Sequence, residues 1–307
     1  RWANQPRRFV TVQLAMLALV LLLSACGLPG RGAGQATTPP HMETLPSNSP
    51  SPYNSPSPSS SPQPHSSPSP HNSPLTSGSQ LPPGSRLPSE ADCAATIHRS
   101  AWEPRPDNHA ANMSVPTAAQ VAQLGPWGPE MGLDPRADGL RTQMTGNFTG
   151  TTDEILQWVA CKWGFDVNIV RAEAVVESYW HQSQQGDYTS NQQYCPPGTW
   201  DGSGCYQSYG ILQIKWYYFQ DAWPMSKTDT AFNAEYVYAM LRACYEGWTT
   251  YLKDATPLPG YQPYHAGDIW GCLGRWYSGS WYTQGAVDYI AKVKQALAEK
   301  TWLSSGF

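Results

Sequence analysis

The sequence predicts a mainly α-helical α+β domain that occupies the chain after residue 90. Three observations carry this. Apolar residues recur at helical spacing in several stretches beyond residue 150. The stretch between Tyr188 and Gln213 is rich in Gly, Pro, Asn and Tyr, which calls for loops or short strands. The Ser/Pro excess, out of 29 prolines in 307 residues, falls mostly before residue 90. Roughly 210 residues then remain to build a core, enough for one sizeable domain.

The amino-terminal stretch reads as an export signal. Arg7 and Arg8 precede an apolar run from Phe9 to Leu23, broken only by Thr11 and Gln13. A basic start, a short apolar run and small residues before a cleavage point describe a secretory signal rather than a membrane span. Leu23-Ser24-Ala25-Cys26 resembles the bacterial lipobox, which implies lipidation of Cys26 and a membrane anchor in residues 1–26. Gly27 in the next position, where Asp would retain the protein, is the arrangement expected for outer-membrane sorting in a Gram-negative cell. The chain begins with Arg rather than Met, so its true start is expected to be missing or altered.

Residues 27–90 read as a disordered Ser/Pro-rich linker, with repeats such as Ser49-Pro50-Ser51-Pro52 and Ser67-Pro68-Ser69-Pro70. Such a composition buries too little apolar surface to offset chain entropy. In an extended polyproline form it reaches at most roughly 190 Å. His41, His65 and His71 are expected to be solvated there. Residues 91–150 show little periodicity and are expected to form a loop-rich extension packed on a domain spanning 151–307.

Six cysteines follow Cys26, namely Cys93, Cys161, Cys195, Cys205, Cys244 and Cys272. An even count behind an export signal implies disulfides formed in an oxidising compartment. Six cysteines allow fifteen pairings. The expected pairs are Cys195–Cys205 as a local staple, Cys244–Cys272 across one helix-loop unit, and Cys93–Cys161 tying the extension to the domain. No metal-ligand spacing is present, and neither metal nor cofactor is expected. A net charge of −4 and sparse charged residues argue against nucleic acid as a partner. The 14 Trp and 17 Tyr suggest an aromatic core, with some rings free to stack on sugar faces.

Thr152-Asp153-Glu154 opens a first helix with an acidic first turn, and Gly164 stops it. Asp166 caps a second, with Glu177 near its end. Further helices are expected from about Thr230 to Leu252, and from Gln284 to Lys300 with Ala286, Tyr289, Ile290, Val293 and Leu297 on its apolar face.

Three segments stand out: Ala172-Glu173-Ala174-Val175-Val176-Glu177-Ser178-Tyr179-Trp180, then Tyr209-Gly210-Ile211-Leu212-Gln213-Ile214, then Arg275-Trp276-Tyr277-Ser278-Gly279. In this order they resemble the soluble lytic transglycosylases, relatives of goose-type lysozyme. Thr230-Ala231-Phe232-Asn233-Ala234 is similar to a further helix opening of that family. The resemblance spans about residues 150–302. Leu212 stands where the family has Met, and Ser278 where it has Asn. The stretch between Glu177 and Gly210 is longer than the family's and carries Cys195 and Cys205.

The resemblance implies a lysozyme-like fold and a peptidoglycan-cleaving activity with Glu177 as general acid/base. The MurNAc–GlcNAc β-1,4 bond would be cut to leave 1,6-anhydro-MurNAc ends. Gln213, Tyr277, Ser178, Gly210, Ile211 and Leu212 would form the substrate-binding set, with Ser178 also structural. The Gln213 amide would hydrogen-bond sugar, and the Tyr277 hydroxyl would lie near the reacting centre. Partners implied are glycan strands and, through Cys26, a membrane; the place is extracytoplasmic and a monomer is expected. Two other readings stay open. A hydrolytic muramidase would recruit a second acid from Asp187, Asp201, Asp221 or Asp268. A non-catalytic module would only bind glycan. Glu173 is expected to support Glu177 or face solvent, and His181 to be a surface histidine.

Overall fold

Capping decides where the helices start and stop. A computed structural model describes residues 79–307, which belong to a unit spanning Ser73–Phe307. The export signal, the lipidation site Cys26, the linker histidines and most of the Ser/Pro-rich segment lie outside the described residues.

A first helix, α1 (Glu90–Thr96), is followed by a run of single helical turns and loops up to residue 150. Helix α2 (Thr152–Trp163) begins with a capping box: the Thr151 hydroxyl accepts from the Glu154 N–H, and the Glu154 carboxylate accepts from the Thr151 N–H. It ends at Gly164, whose φ of 72° is left-handed. Asp166 then caps α3 (Val167–Ser178) by accepting from the Asn168 N–H. Three two-residue strands follow, β1 (Gln185–Gly186), β2 (Ser208–Tyr209) and β3 (Ile214–Lys215), antiparallel in the order β1-β2-β3. Helices α4 (Thr230–Tyr245), α5 (Ile269–Ser278) and α6 (Gln284–Glu299) complete the domain.

Every residue of α4 is buried, so it is the axis of the core. Helix α2 packs on α4 and α3, while α3 also packs on α6 and α6 on α5. Five tryptophans, Trp127, Trp158, Trp163, Trp180 and Trp281, are wholly buried. Part of the aromatic excess is therefore core, and Trp102, Tyr179, Tyr188, Tyr206 and Tyr277 are among the rings left exposed. Among the described residues no helix is long and apolar enough to cross a membrane.

The expected elements are mainly present, with three differences. Helix α4 stops at Tyr245 rather than running to Leu252, because Gly247 takes φ 82° and Thr249 bridges back to Leu133. Helix α5 was not expected; it carries the whole Trp276-Tyr277-Ser278 segment. Order also begins before residue 90. Arg242, itself buried, donates to the Leu81 and Pro82 carbonyls, the Glu246 carboxylate accepts from Gly84 N–H, and Leu81 N–H bonds to Gly164 O. The end of the proline-rich stretch is thus docked against α2 and α4 rather than disordered.

All three expected disulfides are formed, Cys93–Cys161, Cys195–Cys205 and Cys244–Cys272, closing loops of 68, 10 and 28 residues. The first ties α1 to α2 and so fixes the extension on the domain. Replacing both Cys93 and Cys161 by Ser should lower unfolding stability by about 3–4 kcal/mol, more than the same change at Cys195 and Cys205, because the longer loop restricts the unfolded chain more. Thermal unfolding of the two double variants beside the parent checks the order.

Candidate functional site

The site forms where α3 ends. Tyr179 and Trp180 both adopt left-handed backbone, φ 55° and 67°. Two such residues in a row persist only if their surroundings hold them. The buried Trp180 indole donates to the Arg171 carbonyl at 2.9 Å. The Arg105 guanidinium donates to the Tyr179 carbonyl at 2.7 Å and lies over the Tyr179 ring. The Asn108 amide donates to the Trp180 carbonyl and accepts from Gln182 N–H, each at 2.7 Å. The chain therefore leaves the helix in one direction, with Glu177 in its last turn.

The Gly210–Gln213 segment is clamped against this end. Ser178 Oγ donates to the Ile211 carbonyl at 2.8 Å. Gln182 Oε1 accepts from Ile211 N–H, while its amide donates to the carbonyls of Ser226 and Lys227. Asn233, in the first turn of α4, accepts from Leu212 N–H and donates to the carbonyls of Tyr209 and Ser226. Gly210 sits at φ 86°, and a Cβ there would collide with the Asn233 amide and the Ser226 carbonyl. Only glycine fits.

Glu177 is partly exposed, and its Oε1 accepts a 2.5 Å hydrogen bond from the Tyr289 hydroxyl of α6. Burial pushes its carboxyl up to about 7, Tyr289 pulls the other way, and the neighbouring Asp187 charge raises it further. Carbonyls at the helix's C-terminal end add to the repulsion of a negative charge. One turn earlier, Glu173 is wholly buried, 3.4 Å from the same Tyr289 hydroxyl, and pushed up to about 8 chiefly by burial. Asp187 behaves oppositely. Burial would raise it, but the Ser208 hydroxyl at 2.6 Å and the Lys215 ammonium at 3.1 Å outweigh that and hold it below the ordinary value. One acid is thus held protonated near neutrality beside another held ionised, the separation that acid/base chemistry needs.

The remaining expected residues divide. Ser178 is buried with its hydroxyl spent on the Ile211 carbonyl, an arrangement that fits the structural part of its expected role and not the substrate-binding part. The side chains of Ile211 and Leu212 are fully buried, and Gly210 is buried too, so the expectation that they touch substrate is corrected. Their contribution is the fixed backbone. The Gln213 amide donates to the carbonyls of Gly210 and Gln184, at 2.8 and 3.2 Å, which leaves only its Oε1, near Gly186, to meet a ligand. Tyr277 is 59% exposed and stacks in parallel on Tyr289 at 4.7 Å, so it borders the site through that ring. Ser278 turns back on its own helix end, donating to the carbonyls of Gly274 and Ser280. His181 pairs with Asp107 at 3.0 Å rather than standing alone. Asp201 receives the N–H groups of Ser203 and Gly204 in its own turn, Asp221 that of Gly125, and Asp268 caps α5. Of the four candidate second acids, Asp187 is the one that acts on Glu177.

Tyr289, Asn233 and Gln182 were not foreseen in these roles. Tyr289 sits in sequence among the apolar residues of α6, and an Asn inside the apolar pattern of α4 was the available signal for the clamp. Among the described residues no group of His, Cys, Asp and Glu is gathered that could hold a metal ion.

Replacing Asn233 with Ala removes three buried hydrogen bonds, to Leu212 N–H and to the Tyr209 and Ser226 carbonyls, and should cost about 3 kcal/mol, read as a fall in unfolding stability. Both glutamates are raised in the fold from 4.5, towards about 8 for Glu173 and about 7 for Glu177. The folded protein therefore binds more protons than the unfolded chain in that window. Their contribution to stability is complete below pH 4.5 and declines as pH rises towards 8. Glu173→Gln, neutral at every pH, should flatten that decline in a pH series of melting temperatures. No family model, curated protein or solved structure matches this chain, so a functional reading rests on the geometry above and on the motifs that compose it.

Proposed function

We propose that the domain is a lysozyme-like peptidoglycan lytic transglycosylase with Glu177 as its acid/base. One observation carries the reading. A single carboxyl, kept protonated near neutral pH by burial, opens to solvent at a helix end that three other segments hold rigid. The order of those segments is the order of the family's motifs, which supports the same conclusion.

Glycoside cleavage needs a proton on the leaving oxygen and stabilisation of a cationic sugar carbon. Glu177 gives its proton to the GlcNAc O4 as the bond to MurNAc C1 breaks. The substrate's own acetamido oxygen bonds to C1 and spreads the charge. The Glu177 carboxylate then takes the proton of the MurNAc O6 hydroxyl. O6 attacks C1, the acetamido oxygen leaves, and a 1,6-anhydro ring forms. No water is consumed, and Glu177 ends as it began. The Tyr289 hydroxyl stabilises the carboxylate between the two half-reactions, and the exposed Tyr277 ring offers a face for a sugar. In this reading the enzyme works outside the cytoplasm, anchored through Cys26, and its disulfides suit that compartment.

Asp187 favours a second reading. An ionised carboxylate close enough to act on Glu177 could orient a water, which would make the enzyme a hydrolase of the same bond.

Purified peptidoglycan digested with the protein decides between these. The transglycosylase yields muropeptides lighter by one water than the hydrolytic product. Glu177→Gln should reduce turnover about 10²–10⁴-fold with glycan binding retained. The wild-type rate should fall as pH rises through about 7, where the acid form is lost. Equal clearance of cell-wall suspensions by wild type and Glu177→Gln would leave only a binding module. Asp187→Asn should keep the anhydro product, whereas a hydrolase would lose its activity.

A further inference from the structure

Glu173 has no part in the steps above, yet it is wholly buried one helical turn before Glu177 and on the same side of α3. Its Oε1 is 3.4 Å from the Tyr289 hydroxyl, and its Oε2 has no hydrogen-bond partner. The groups acting on it are Tyr289 from α6, Tyr238 from α4 and Glu177 on its own helix. The Tyr238 hydroxyl borders it without a well-formed hydrogen bond. Beyond these, Asp187 acts on Glu177 and Asp166 on Tyr238. No basic group is among them, and a carboxylate so placed is strongly disfavoured against the neutral acid. Burial accordingly raises Glu173 to about 8.

The Tyr289 hydroxyl has one hydrogen and two carboxyl neighbours. When Glu177 is a carboxylate, that hydrogen belongs on Glu177. When Glu177 carries its own proton, aimed outward at a leaving oxygen, the Tyr289 hydrogen needs another acceptor, and Glu173 Oε1 is in place. We propose that Glu173 is a positioning residue: a neutral buried acid that takes up the Tyr289 hydrogen bond whenever Glu177 holds its proton, and so favours the protonated state of Glu177. The purpose of this arrangement rests on the acid/base reading of Glu177; the arrangement itself does not.

The test is a carboxyl titration of the whole protein labelled with ¹³C-glutamate, the Glu177 signal being the one that Glu177→Gln removes. In Glu173→Leu, of similar bulk but without an acceptor, Tyr289 can donate only to Glu177. Its carboxylate is then favoured, and the Glu177 midpoint should fall by about one pH unit. In Glu173→Gln the amide oxygen still accepts, and the midpoint should match the wild type. A Leu variant titrating like the wild type would reduce Glu173 to packing and overturn the proposal. So would a Gln variant whose midpoint falls, since that would mean a charged Glu173 had been raising Glu177. Should the Leu variant not fold, Glu173→Met, flexible and without an oxygen acceptor, is read in its place with the same two outcomes. In a glycan assay the high-pH limb of the rate should move with the midpoint. A wild type that cleaves no glycan would defeat the proposed function while leaving the titration result intact.

Discussion

Two carboxyls on one face of α3 share a single tyrosine hydroxyl and, among the described residues, have no cation to balance them. An unbalanced buried acid is tolerated only as the neutral species, so the state of this pair depends on how well the domain keeps water from it. The packing around α3 serves that end. Helix α4 is buried along its whole length, α6 supplies the tyrosine, and α2 closes the other side. Glu173 lies inside this packing and Glu177 at its edge, so only Glu177 is open to solvent.

Elsewhere the domain deals with buried charge by pairing it. Lys162 meets Glu235 in the interior, and Glu235 also accepts from the Gly146 and Thr145 N–H groups. Arg242 is enclosed by Glu246 and the Leu81 and Pro82 carbonyls. These are satisfied groups, fixing how neighbouring segments meet. The contrast with Glu173, on which no basic group acts among the described residues, is what marks that residue as more than a fastening.

Much of the helical framework was legible because its punctuation is local. Thr151 with Glu154, Gly164 and Asp166 act within a turn of themselves, and they set α2 and α3 where the sequence places them. The short disulfide spacing and the position of Glu177 at a helix end were legible for the same reason. Helix α5 was not. Its Gly271 and Gly274 weaken any helical signal, yet they are there so that Trp281, Ala286 and Ile290 can approach closely. Short strands were expected near Tyr188–Gln213 but could not be placed residue by residue, since two-residue strands show no alternation, and with their places went that of Asp187. Motif likeness did not separate the side chains of Ile211 and Leu212, which are wedged in the core, from side chains open to a ligand.

The extension before Thr151 reaches into the site's foundations. Asn108 and Arg105 hold the two strained residues after α3, and Cys93 bolts the same segment to α2. A fragment trimmed to the motif-bearing half, from Thr151 onward, would keep every segment that resembles a known family and lose the brackets that aim them. The unit that folds around the site is therefore larger than the recognisable one, and a fragment cut at the edge of similarity would carry the same residues on an unsupported hinge.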